Sequence, residues 1–228
     1  MLIDPSTFDQ EFSGPDNRQH NIIFLGMSGS GKTFWSKKIA TDFQYDHIEV
    51  DDLIGHNSEL ADLIAPYPGN DNAEKMGNFF GMPWNDDFQE KEKTYLNIEK
   101  KILHAHKQSQ GSIIDLSGSA IYHPQELKAL AKTGLVIYLE TNNDRVDEML
   151  ATYLKHPKPV CWNNLFLPNQ GEDNETALKR CYPNLLNDRA KQYAEYADLT
   201  IPHSMHKAAQ TTDDFVQIIR ETLQRNLH

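Results

Sequence analysis

Gly26-Met27-Ser28-Gly29-Ser30-Gly31-Lys32-Thr33 fits the pattern G-x-x-x-x-G-K-[ST] without a gap. Before it, Asn21-Ile22-Ile23-Phe24-Leu25 is a short apolar run of the kind that forms a buried parallel strand. After it, Phe34-Trp35-Ser36-Lys37-Lys38-Ile39-Ala40 reads as a helix. Strand, glycine turn and helix start gather a row of backbone N–H groups and the positive end of a helix dipole around one point, where a polyphosphate would bind. The glycines allow positive φ and a close approach of backbone to anion. Gly26, Ser28, Gly29, Ser30, Gly31, Lys32, Thr33 and Phe34 are therefore the expected cradle for ATP. Lys32 would reach the β- and γ-phosphates, and the Thr33 hydroxyl would ligate Mg²⁺.

The 228 residues suffice for one α/β domain with a sizeable core. Charged residues make up 24% and hydrophobic ones 39%, the composition of a soluble globular chain. A net charge of −11 argues against a nucleic-acid surface, which needs clustered Lys and Arg. No apolar run approaches the roughly 20 residues that span a bilayer. The start Met1-Leu2-Ile3-Asp4-Pro5 lacks a signal-peptide pattern, and Cys161 and Cys181 make neither a disulfide framework nor a metal spacing. A cytoplasmic setting is expected, with a monomer or weak homodimer and no membrane partner.

Residues 1–20 are polar and broken by prolines, which predicts a flexible N-terminal arm ahead of a domain over 21–228. Tyr45 to Ile54 reads as a second strand ending in carboxylates. Along a strand Glu49 and Asp51 share a face, so one would help hold Mg²⁺ while the other meets the group that attacks the phosphate. Asp52 reads as a helix N-cap. Residues 55–87 are irregular around Pro66-Tyr67-Pro68-Gly69, as in a substrate-side insert whose aromatics form a mini-core. A long helix follows over 87–108.

Ser112-Ile113-Ile114-Asp115-Leu116 is the third strand. An acid at its end is placed to orient Mg²⁺, and Ser117, Gly118 and Ser119 are placed to line a substrate pocket. Helix from His123, strand over Leu135–Leu139 and helix over 144–154 come next. Residues 155–174, rich in proline and cations around Lys158, suit a lid that excludes water. The remainder reads as a helix over 175–197 interrupted near Pro183, a fifth strand at Asp198–Ile201 and an amphipathic helix over 212–227. The ten histidines are scattered and receive no role.

Together, Gly26–Thr33, Ile48–Ile54, Ile113–Ala120, Gly134–Leu139 and Asn187–Asp198 resemble the shikimate kinase family, within the nucleoside monophosphate kinase group. The resemblance covers most of residues 21–225. It implies a three-layer α/β P-loop NTPase fold, with a five-stranded parallel sheet ordered 2-3-1-4-5, helices on both faces and a lid. It also implies an ATP- and Mg²⁺-dependent phosphotransferase in amino-acid biosynthesis, acting on a hydroxyl of a small anionic acceptor. By the same resemblance Asp51 meets the substrate hydroxyl, Glu49 is linked to Mg²⁺ and Gly118 contacts substrate. Arg189 takes the substrate carboxylate, and Lys158-Pro159 stands where the lid has Arg-Pro. Three departures all fall on the acceptor side. Tyr95-Leu96 replaces Phe-Arg, Ser117-Gly118-Ser119 replaces three glycines, and the segment between Ile54 and Tyr95 is longer. Two other outcomes stay open, a kinase of another polyol or nucleotide and a nucleotide-binding regulatory module.

Overall fold

The computed structural model describes residues 3–13, 18–142, 146–155 and 159–226. In chain order these form α1 (Pro5–Ser13), β1 (Asn21–Leu25), α2 (Lys32–Phe43), β2 (Asp46–Glu49), α3 (Val50–Gly55), α4 (Ser58–Ile64), α5 (Asn72–Phe80) and α6 (Phe88–His106). There follow β3 (Ser112–Asp115), α7 (Pro124–Leu130), β4 (Gly134–Leu139), α8 (Val146–Lys155), α9 (Asn174–Tyr196), β5 (Leu199–Ile201), α10 (His203–Ala208) and α11 (Thr212–Arg225). Two compact units are built from them. One holds residues up to Asp51, Leu103–Asn142 and everything from Ala190; the other holds Asp52–Ile102 and Asn143–Arg189.

The first unit carries the sheet, ordered β2-β3-β1-β4-β5 with every pairing parallel. Strands β1, β3 and β4 are buried at every position, which is why they read as unbroken apolar runs rather than alternating ones. Register then places the chemistry. Asp115 lies opposite Phe24 on one side and Glu49 on the other, so two carboxylates end neighbouring strands beside the glycine loop that leaves β1. Helix α2 is anchored by Trp35, which stacks on Phe215 of α11 at 4.4 Å and 6°. Helix α11 opens with a reciprocal cap between Thr211 and Asp214.

Three sequence expectations change at the N-terminus, after β2 and in α9. The N-terminal arm is a helix over Pro5–Ser13, and Ile3, Phe8 and Phe12 belong to the main core cluster. Phe12 packs on Phe43 at 4.4 Å and Tyr45 at 5.7 Å, while Asp9 pairs with Arg220 of α11 at 2.6 Å. Arg18 donates to the carbonyls of Phe43 and Gln44 at the end of α2, where a cation favours the helix dipole. Apolar burial has outweighed the polar composition of this stretch. Phe12→Ala should lower stability by about 3 kcal/mol, read as a reduced denaturant midpoint at unchanged slope. An unchanged midpoint would return these residues to the status of an arm.

The second strand stops at Glu49, and Asp51 and Asp52 lie inside α3. The shared strand face of Glu49 and Asp51 therefore does not exist, and Asp52 is not an N-cap. Helix α9 runs unbroken through Pro183. Tyr182, Leu185 and Leu186 around it are buried, and their packing holds the turn that proline weakens.

In the second unit the stretch expected to be irregular holds two capped helices. Asn57 accepts from the Leu60 N–H, and Asp71 from the Glu74 N–H. Tyr67, Phe79, Phe80, Phe88 and Tyr95 meet edge to face at 5.1–6.0 Å, the expected aromatic mini-core.

Candidate active site

Gly26 and Gly31 show what the glycine loop demands. Gly26 has φ 146°, and a Cβ there would lie 2.7 Å from the Leu139 carbonyl oxygen. Gly31 caps α2 at φ 100°, a left-handed conformation costly for any side chain. The loop folds back on itself, with the Ser30 N–H donating to the Met27 carbonyl at 3.2 Å. Lys32 is buried, and its Nζ donates to the same carbonyl at 3.1 Å. Ser30 Oγ is buried and has no hydrogen-bond partner among the described residues, which suits an incoming phosphate oxygen. Ser28 and Gly29 stand at the exposed lip of the loop. Phe34 is 57% exposed, edge-on to Trp35, with the Lys38 ammonium 5.3 Å from its ring centre.

The Thr33 hydroxyl donates to Asp115 Oδ2 at 2.6 Å. Asp115 is buried, and its Oδ1 lacks a partner among the described residues. Burial pushes this carboxyl up, against the pull of Lys32 and the Thr33 hydrogen bond. A hydroxyl, an orphaned carboxylate oxygen and the neighbouring Glu49 are hard oxygen donors that fit a magnesium ion. Among the described residues no three His, Cys, Asp or Glu side chains form a ready-made cage, so phosphate and water oxygens would fill the remaining positions. Glu49 is itself held by Lys37 at 2.6 Å, a contact not anticipated from sequence. Asp51 is exposed in the first turn of α3.

Ser117 and Ser119 are buried at 1% and 6% exposure. Gly118 is the more open member of the three. Its carbonyl accepts from the Tyr193 hydroxyl at 2.6 Å, and Tyr193, fully buried, packs on Tyr138 at 5.2 Å.

Lys158 lies outside the described residues. Beyond it, two residues of the expected lid are packed into the interior while most of the rest is exposed. Cys161 and Trp162 are each 1% exposed, and Trp162 meets Phe166 at 5.5 Å and Tyr182 at 6.1 Å. Arg189 is 8% exposed, and its Nη2 donates to the Cys161 carbonyl at 2.6 Å. Glu92, missed in the sequence, accepts from the Trp162 and Asn163 N–H groups. Burial pushes its carboxyl up, and the two amides and Arg189 pull it back. A signal for Glu92 did exist. Phe88, Glu92, Tyr95 and Glu99 follow at helical spacing, which sets two acids on the apolar stripe of α6.

No helix among the described residues is long and apolar enough to cross a membrane. The shikimate kinase family model matches residues 67–220, well over half of the chain. The shikimate kinase of Chlorobium phaeovibrioides is 22% identical over 209 residues, 91% of this chain and 92% of its own length. That of Haemophilus influenzae is 23% identical over 201 residues, 88% and 93% of the two chains. Among solved structures, the shikimate kinase from Acinetobacter baumannii in complex with shikimate aligns at TM-score 0.55 and 21% identity, covering 97% of this chain and 98% of that one. The shikimate kinase from Bacteroides thetaiotaomicron aligns at TM-score 0.56 and 17% identity, covering 90% and 98%. Those structures share the fold found here. The family match begins downstream of the glycine loop and the loop satisfies its own motif independently, so both parts of the chain lead to one conclusion: it belongs to the shikimate kinase family of ATP-dependent kinases.

Proposed function

We propose that this kinase transfers the γ-phosphate of ATP to a hydroxyl of a small anionic metabolite, shikimate or a related hydroxy acid. The observation that carries it is the bond between Thr33 and Asp115 beside the buried Lys32, at the start of α2. A hydroxyl and an acid joined there are the protein's half of a nucleotide–magnesium site. Thr33, Asp115 and Glu49 would hold a magnesium ion, which would supply positive charge against the phosphates. The loop amides from Gly26 to Phe34 hold the phosphates, and Lys32 balances charge spread over the transferring group. Asp51 accepts the proton of the acceptor hydroxyl as its oxygen bonds to the γ-phosphorus and the bond to ADP breaks. Arg189 holds the acceptor carboxylate with Gly118 beside the substrate, and Lys158 adds a cation from a lid over 155–174 that excludes water.

Leu96, at the place of the family's helix arginine, favours a second reading in which the chain binds nucleotide without turnover. An assay of ADP release against a panel of hydroxy acids and polyols decides between them. Stimulation by shikimate or a related hydroxy acid is expected. Tight ATP binding with no acceptor-stimulated release would leave the binding module.

A further inference from the structure

Glu92 is a buried carboxylate that nucleotide chemistry does not use, and burying a charge is costly unless something is gained. Its Oε1 accepts from a turn of backbone, the N–H groups of Trp162 and Asn163, the latter at 3.0 Å. Asn163 and Asn164 both have positive φ, 47° and 65°, the left-handed region that asparagine tolerates better than other non-glycine residues, so the turn is sharp. The aromatic packing of Trp162 and its indole contact to the Tyr153 hydroxyl at 3.4 Å hold it from one side. The carbonyl immediately before these amides, that of Cys161, is the one that receives Arg189 Nη2 at 2.6 Å. Carboxylate, left-handed turn and guanidinium thus form one chain of hydrogen bonds across α6, the 161–164 turn and α9.

We infer that Glu92 is a positioning residue for the acceptor: through the Cys161–Asn163 turn it fixes the guanidinium of Arg189. The inference rests on the reading of Arg189 as the group that meets the acceptor's carboxylate. It also gives the burial of Cys161 and Trp162 a purpose. With leucine at position 96, a single guanidinium must do the work of two, and a guanidinium free to swing would lose its geometric advantage. Glu92 acts through the turn and through its charge on the Arg189 guanidinium, and touches no reacting atom.

The test compares Glu92→Ala, Glu92→Gln and Arg189→Ala in the full chain, with shikimate as acceptor and circular dichroism to verify folding. Glu92→Ala should raise the KM for shikimate about tenfold or more while leaving the KM for ATP within about twofold, and should speed hydrogen exchange at the Trp162 and Asn163 amides. Glu92→Gln keeps an oxygen for both amides and should recover most of the KM and the protection. A variant that only loosened the fold would move both KM values together. If Arg189→Ala raises the KM but Glu92→Ala does not, or if exchange at the two amides is unchanged, the inference is overturned. An unchanged KM in Arg189→Ala would instead remove the underlying role of Arg189. Should the wild-type chain turn over no hydroxy acid, the proposed function fails, and the exchange comparison alone still decides whether Glu92 holds the turn.

Discussion

Lys32→Ala is expected to cut acceptor-stimulated ADP release by roughly 10²–10³-fold, the usual loss when one preorganised electrostatic contact to developing charge is removed. The size of the effect follows from where the ammonium sits. Lys32 is 4% exposed, and its Nζ is parked on the Met27 carbonyl of the same loop. A cation held that close to the helix start needs little reorganisation to meet phosphate oxygens, so its contribution is largely prepaid by the fold. Its loss also deprives the buried Asp115 of its strongest downward pull, pushing that carboxyl further up. The variant should therefore bind magnesium–nucleotide more weakly as well as react more slowly. Both kcat and the KM for ATP are read, with a thermal melt as control. Retention of more than a tenth of the rate would remove the loop lysine from the chemistry.

How far the sequence reveals this molecule depends on which force decides each element. The glycine loop is legible because its chemistry is local. Spacing, positive φ and the adjoining strand and helix all lie within residues 21–40. Three of the strands are legible for a related reason, since β1, β3 and β4, buried on both faces, announce themselves as apolar runs, whereas the order of the sheet followed from the family resemblance. The N-terminal helix is not. Phe8 and Phe12 are too few to make a periodic stripe, and α1 exists because Phe43, Tyr45 and α11 give those two rings a place to pack. The end of β2 is similarly decided outside the local sequence. Val50 is an apolar β-branched residue that extends the strand pattern on paper, yet it is the first residue of α3 and fully buried. On the acceptor side, Arg189 was visible as a residue type, but its tie to the Cys161 carbonyl joins positions 28 apart and left no local trace.

The shift of Asp51 from strand to helix sharpens the last prediction. In the first turn of α3, two residues beyond the carboxylate of Glu49, Asp51 is exposed and belongs to no strand ladder. Replacing it by asparagine preserves shape and removes only charge and proton affinity. Any loss of favourable interaction with the helix dipole is worth at most about 1 kcal/mol at an exposed site, so the fold should survive nearly unchanged. The catalytic consequence should be far larger. A positioned general base contributes typically about 10²–10⁴-fold, and Asp51→Asn should lower kcat by an amount in that range. The KM for ATP should stay within about twofold, because the phosphate cradle and the Thr33–Asp115 pair are untouched. The two variants thus carry different signatures: Lys32→Ala disturbs nucleotide and rate together, whereas Asp51→Asn disturbs rate alone. If Asp51→Asn instead weakens ATP binding at unchanged kcat, the acid serves the metal–nucleotide side, and the proton of the acceptor hydroxyl must leave by another route.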